Sequence, residues 1–257
     1  MLNTDNAVIR AENIAYKVKD KTILSDISFA VGKGTLTSIV GMNGSGKTTL
    51  LKLIGGIIKP VSGYVSINNK DVAAYKVKDL AQNVSMVFQS NETDFDFSAL
   101  QIVLMGRMPY QKLLDRDKAE DFAVCEQAMK ETNTWQLKDR LINSLSGGER
   151  QRVFIARSLA QQTDIMLLDE PVANLDLKHQ IEIMNLLKSI QQRNNTTVLI
   201  VLHDLSLALK YSDNVLALKN GRLHFFDCAK NVLTTENIRT LFEINAQVSL
   251  SGNVIME

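Results

Sequence analysis

Apolar positions along the chain follow two rhythms. Over residues 8–40, β-branched and aromatic residues come in short runs broken by Lys19-Asp20-Lys21 and Gly32-Lys33-Gly34, which predicts a small antiparallel layer feeding a central strand at 35–40. That strand runs straight into Gly41, and residues 47–54 then take helical spacing that stops at Gly55-Gly56. Further strands are predicted over 64–67, 84–88, 165–168, 197–202, 215–218 and 222–226. Strand signals vanish between Phe97 and Leu141, while residues 117–130 mix charged and apolar positions at helical spacing. The expected organisation is a single α/β domain over 1–257, with a helical subdomain at about 97–145 inserted in the core. A C-terminal extension at about 228–257 would hold a short helix, 236–242, and a last strand, 247–250. No internal repeat or low-complexity stretch interrupts this order.

Length and charge narrow the reading. A chain of 257 residues can bury a substantial core. With Lys+Arg 29 against Asp+Glu 28, its net charge is +1, so no overall field draws it to nucleic acid, which is not expected as a partner. Hydrophobic residues make up 45% of the chain. Even so, the longest apolar runs fall far short of the roughly 18 residues a membrane span needs. The first ten residues lack a basic start and a long apolar stretch, which predicts a cytosolic location. Cys125 and Cys228 have no paired spacing and read as reduced packing residues.

Three segments carry chemistry. Gly41-Met42-Asn43-Gly44-Ser45-Gly46-Lys47-Thr48 fits G-x-x-x-x-G-K-[ST], followed by Thr49. In such a loop, glycines let backbone N–H groups converge on phosphate oxygens at a helix's positive end. Lys47 would reach the β and γ phosphates, and the Thr48 hydroxyl would serve Mg²⁺. Residues 164–170, Asp-Ile-Met-Leu-Leu-Asp-Glu, read as a buried strand that delivers Asp169 and Glu170 to the sheet's C-terminal edge. There Asp169 could hold Mg²⁺ and Glu170 could deprotonate a water, although a strand capped by solvated acids has the same pattern. Leu145-Ser146-Gly147-Gly148-Glu149 precedes a helix expected at 153–161 and offers a second anion site. Ser146 and Glu149 also fit a capping box, and the two readings are compatible.

Taken together, Leu-Ser-Gly-Gly-Glu, the phosphate loop and Leu-Leu-Asp-Glu resemble the pattern of ATP-binding-cassette (ABC) ATPases, a P-loop α/β fold. That fold has a mainly parallel central sheet, an antiparallel β subdomain and a helical subdomain. The resemblance implies a homodimer in which Ser146, Gly147, Gly148 and Glu149 of one subunit cover the ATP held by the other subunit's phosphate loop. It also implies that Gln89 touches Mg²⁺ and water, that His203 contacts the γ-phosphate and that Tyr16 stacks on adenine. Asn174-Leu175-Asp176 resembles the D-loop, with Asp176 at the interface, although Val172 stands where the family usually has threonine.

The segment from Gln101 to Tyr110, Gln-Ile-Val-Leu-Met-Gly-Arg-Met-Pro-Tyr, is similar to that of importers of ferric siderophores, haem and cobalamin. The same residues also suit a helix that stops at its proline. This second resemblance implies integral-membrane permease subunits, an extracytoplasmic substrate-binding protein and a place at the cytoplasmic face of a prokaryotic membrane. An alternative of similar length and motifs is a soluble cassette ATPase of iron–sulfur cluster assembly.

Overall fold

The computed structural model describes residues 6–88, 96–111, 118–244, 246–248 and 254–256. β1 (Ala7–Val18) and β2 (Lys21–Gly32) form a hairpin, after which β3 (Leu36–Val40) leads into α1 (Lys47–Ile54). β4 (Ser62–Ile67), β5 (Lys70–Asp71), α2 (Val77–Ala81) and β6 (Val84–Val87) follow. Next come α3 (Ala99–Leu104), a 3-10 segment (Met105–Tyr110), α4 (Ala119–Glu131) and α5 (Gly147–Ala160). The second half runs β7 (Ile165–Asp169), α6 (Leu177–Asn194), β8 (Thr197–Val201), α7 (Leu205–Tyr211), β9 (Asn214–Lys219) and β10 (Arg222–Cys228). It ends with α8 (Ala229–Val232), α9 (Thr235–Phe242) and the hairpin of β11 (Ala246–Val248) and β12 (Val254–Met256).

One sheet is antiparallel, ordered β2-β1-β4-β5, and the larger one is ordered β10-β9-β3-β8-β7-β6. In the larger sheet every pairing is parallel except that of β9 with β10. The predicted antiparallel layer feeding a central parallel strand is therefore observed.

β7 and β8 read as near-continuous apolar runs because both faces are covered, while β3 and β6 bury the hydroxyls of Thr37, Ser38 and Ser85 among their apolar residues. Alternate residues enter different cores. Val198 and Ile200 of β8, with Met166 and Leu168 of β7, join α3 to α7 on one face. Leu199 and Val201, with Ile165 and Leu167, meet α1 and the antiparallel sheet on the other. α1 is held between the two sheets by Leu50, Leu51, Leu53 and Ile54, all essentially inaccessible to solvent.

Two expectations need adjustment. The helix expected at 153–161 begins at Gly147, six residues earlier, with Ser146 as its N-cap. Both arms of the capping box form, since Glu149 N–H donates to Ser146 Oγ and the Glu149 carboxylate accepts from Ser146 N–H. The stop at Pro109 is softer than a clean helix end, because α3 gives way to the 3-10 segment at Met105 and Pro109 sits inside it.

That segment is fastened to the C-terminal end of α5. Arg107 Nη1 donates to Ala160 O and to Gln162 Oε1, each at 2.8 Å, and Tyr110 OH donates to Gln161 O at 2.8 Å. A Cβ on Gly106 would stand 2.3 Å from Arg157 O, so only glycine allows this approach. Arg107 Nε also donates to Asp121 Oδ1 of α4 at 2.9 Å, with both side chains about nine-tenths buried. The guanidinium's hydrogen bond holds the Asp121 carboxyl below the usual carboxylate range.

Removing one partner of such a pair strands a buried charge. R107A is therefore expected to lower stability by about 3 kcal/mol at neutral pH, read by urea unfolding. Because the Asp121 value is depressed in the folded protein, the pair's contribution is present above the ordinary carboxylate range and disappears as pH falls through the folded value. The gap between wild type and R107A accordingly narrows on acidification, and a gap constant with pH would disprove this account of the pair.

Candidate nucleotide site

In the sheet order, β3, β8 and β7 are neighbours, and their C-terminal ends stand side by side. Because they are parallel, the segments that follow them converge on one edge, where open α/β sheets bind ligands. These segments are the Gly41 loop, Leu202-His203 and Asp169-Glu170.

The loop has a geometry that its glycines make possible. Gly41 has φ 152 and a Cβ there would lie 2.3 Å from Leu218 O, while Gly46 has φ 101 and a Cβ would strike Leu24 Cδ2 at 2.5 Å. Gly46 is also the N-cap of α1, with no side-chain cap and no acid in the first turn. The helix's positive end is thus left open to an anion. Lys47 folds across the loop, donating from Nζ to Gly41 O at 2.8 Å and Met42 O at 3.1 Å. Burial pushes its ammonium below the usual lysine range, opposed by the charges of Glu170 and Asp169. Ser45 Oγ is buried with no hydrogen-bond partner among the described residues, an orphaned polar atom that fits a phosphate oxygen.

A cavity of about 400 Å³ opens over this loop. Asn43, Gly44, Gly46, Lys47, Thr48 and Thr49 form its floor, and Glu170 forms one wall. Lys21 and Ile23 of β2 form another wall, which the sequence reading did not assign. Their contribution depends on the β1–β2 hairpin folding over the loop, as Ile23 O and Leu24 do at Gly46. Met42 is part of the loop but exposed. Tyr16 lies in β1 opposite Leu24, half-buried against the core around α1, and does not line the cavity.

The carboxylates differ in their surroundings. Thr48 Oγ1 donates to Asp169 Oδ1 at 3.1 Å, so two oxygens suited to Mg²⁺ already meet. Burial, reinforced by Glu170, raises the Asp169 carboxyl above its usual range against the Thr48 hydrogen bond and the charges of Lys52 and Lys47. No group of three or more His, Cys, Asp or Glu among the described residues could hold a metal alone. Mg²⁺, which is content with one or two protein oxygens plus water and nucleotide oxygens, fits that economy.

Glu170 has φ 50, the left-handed region that a non-glycine residue rarely occupies. Its Oε1 lies 2.6 Å from His203 Nε2. The turn after β7 and the turn after β8 are thereby joined over the cavity. Backbone strain of this kind persists only where the surroundings over-determine it.

The remaining predicted residues stand elsewhere. Ser146, Gly147, Gly148 and Glu149 form the first turn of α5 and none lines the cavity. Ser146 Oγ donates to Glu149 Oε2 at 2.8 Å, and the backbone and hydroxyl groups of Ser146 hold the Glu149 carboxyl below its usual range. Asp176 is the N-cap of α6, accepting from His179 N–H at 2.9 Å. Gln89 lies outside the described residues.

Comparison with known proteins agrees with this geometry. The sequence pattern of the family described as ABC transporter matches residues 24–173. The chain is 35% identical over 240 residues to the iron(3+)-hydroxamate import ATP-binding protein FhuC of Bacillus subtilis, covering 93% of this chain and 89% of that one. It is 38% identical over 226 residues to the cobalamin import ATP-binding protein BtuD of Halobacterium salinarum, covering 88% of this chain and 56% of that one. The dimeric ATP-binding cassette MJ0796, in a post-hydrolysis state with ADP and Pi, superposes with a TM-score of 0.74 at 29% identity, over 86% of this chain and 98% of that one. With a phosphate loop, paired acids and a histidine gathered at one sheet edge, and with that pattern matched over more than half its length, the chain belongs to the ABC transporter family as an ATP-hydrolysing subunit.

Proposed function

We propose that this subunit powers the import of an iron(III)-siderophore complex, haem or cobalamin. It would act as a homodimer beneath permease subunits at the cytoplasmic face of the membrane, with an extracytoplasmic substrate-binding protein delivering the cargo. The observation that carries the reading is the separation of two half-sites. The cavity is lined by the phosphate loop and Glu170, while Ser146 to Gly148 lie outside it. A second copy can bring its α5 turn to the open side of the cavity, and the similar cassette that is dimeric with bound ADP and Pi supports a dimer. No helix among the described residues is long and apolar enough to cross a membrane, so a permease must supply the path. The hydroxamate and cobalamin importers among its relatives support the cargo class, and none of those relatives favours cluster assembly.

Each residue then has a role. Backbone groups from Gly41 to Thr49 and the Lys47 ammonium hold the phosphates, while Tyr16, which stands outside the phosphate cavity, would meet the adenine only beyond it. Thr48, Asp169 and Gln89 would hold Mg²⁺, which when bound withdraws charge from the phosphate oxygens. Glu170 accepts a proton from water as its oxygen bonds to the γ-phosphorus, and the bond to the bridging oxygen breaks to release ADP and phosphate. His203 holds the Glu170 carboxylate at 2.6 Å and faces the γ-phosphate. Ser146, Gly147, Gly148 and Glu149 cover the partner's nucleotide, and Asp176 crosses the interface. The 97–145 subdomain, with the exposed Met108 and Tyr110, meets the permease.

E170Q is expected to cut turnover by about 100-fold or more while keeping ATP affinity, as loss of a general base requires. Steady-state hydrolysis with nucleotide titration decides this, and near wild-type turnover would refute the role. Association with membranes is expected only when a permease is co-expressed, and sedimentation with membranes in its absence counts against the partner.

A second expectation concerns Asp169. Its raised carboxyl value means that the folded protein disfavours the charged form, so stability is lost as pH rises through the carboxylate range. D169N is accordingly expected to raise the melting temperature of the nucleotide-free protein at neutral pH while abolishing Mg²⁺-dependent hydrolysis. A melting temperature lowered by the substitution contradicts the burial argument.

A further inference from the structure

The turn that opens α5 and the turn that opens α6 are packed together through one side chain. A Cβ on Gly148 would lie 2.7 Å from His179 Cδ2 and 3.1 Å from its Cγ, and one on Gly147 would lie 3.3 Å from Leu175 Cδ2. Both glycines of the α5 turn therefore abut the segment around Asp176. The same imidazole meets that segment's carboxylate, because His179 Nδ1 lies 2.8 Å from Asp176 Oδ1, which also accepts the His179 backbone N–H. Gln180 Nε2 donates to Leu175 O at 2.9 Å and fixes the turn's backbone. One helical turn further along, Arg152 donates to Glu182 at 3.2 Å and holds α5 against α6.

We propose that His179 is a positioning residue for hydrolysis. Its ring ties Asp176 to Gly148 within one subunit, so that the 174–176 turn and the Ser146-Gly147-Gly148 turn meet a partner as a single rigid piece. The inference rests on the dimer reading above. A flat ring suits the place. It lies against a glycine that has no room for a Cβ, and its Nδ1 reaches back three residues to the carboxylate. An aliphatic side chain would fill the volume and leave Asp176 with the backbone donor alone. Since a reacting group displaced by about 1 Å can lose on the order of 100-fold in rate, a turn that closes over another subunit's nucleotide depends on such bracing.

The test uses the full-length protein with H179A, H179N, H179L and the control S146A. Hydrolysis is measured at saturating ATP, nucleotide affinity by titration of the isolated subunit, and folding by thermal melting. H179A is expected to lose about tenfold or more in kcat with ATP affinity changed by less than about twofold, since its own phosphate loop is untouched. H179N places an amide N–H near the position of Nδ1 and is expected to recover most of the rate, whereas H179L is not. Turnover of H179A within about twofold of wild type overturns the proposal. So does a loss of affinity or melting temperature that accounts for the lost rate, or H179N failing to outperform H179L. If S146A hydrolyses normally, the two-subunit reading fails and this inference falls with it. If S146A is inactive while H179A is fully active, only the positioning role fails.

Discussion

The burial of β3, β7 and β8 on both faces determines where polar chemistry can stand. Each strand sends alternate residues into two different cores, one around α5 and α6 and the other around α1. A charge placed within such a strand would be desolvated on either side at a cost of several kcal/mol. Charged groups are therefore kept to the strand ends, and because these strands are parallel and adjacent, their C-terminal ends share one edge. Gly41, Asp169 and His203 are neighbours for this reason, although they are far apart in sequence.

At that edge the electrostatics are balanced in opposing pairs. Burial moves Lys47 and Asp169 toward their neutral forms; the charges of Glu170 and Asp169 draw the lysine back, and the Thr48 hydrogen bond with the charges of Lys52 and Lys47 draws the aspartate back. The lysine's protons are occupied by two loop carbonyls and the aspartate by the Thr48 hydroxyl. A polyanion with its counter-ion offers both groups stronger partners than these. Such a ligand would take the place of these partners at Lys47 and Asp169, which gives binding energy a specific place to act.

Much of this was legible in the sequence because local chemistry and global fold agree. The loop from Gly41 to Thr48 is readable because a strand, a glycine-rich turn and a helix occur in that order, and Asp169-Glu170 is readable because an apolar run ends there. The start of α5 was harder to place. Glycine is a poor helix former, so Gly147-Gly148 points to a turn and a helix starting at Val153, whereas packing against Leu175 and His179 and the Ser146–Glu149 box override that propensity. α6 is a different case. Its buried Ile183, Met184, Leu187 and Ile190 do carry helical spacing, but only contact across the fold shows that its first turn supports the α5 turn. The wall formed by Lys21 and Ile23 is likewise a long-range event, set by how the β1–β2 hairpin closes over the loop.

The fastening of α5 at both ends has a mechanical consequence. Its 14 residues extend about 21 Å, gripped at the C-terminal end by Arg107 and Tyr110 and at the N-terminal end by the first turns of α6. A helix of this length is stiff along its axis, and with neither end free it cannot absorb a push by fraying. A force applied to the exposed Met108 would act on one end of this clamped helix, with Ser146 about 20 Å away at the other. The helix would then behave as a pushrod, and its throw would be set by the fit of the clamps at its two ends.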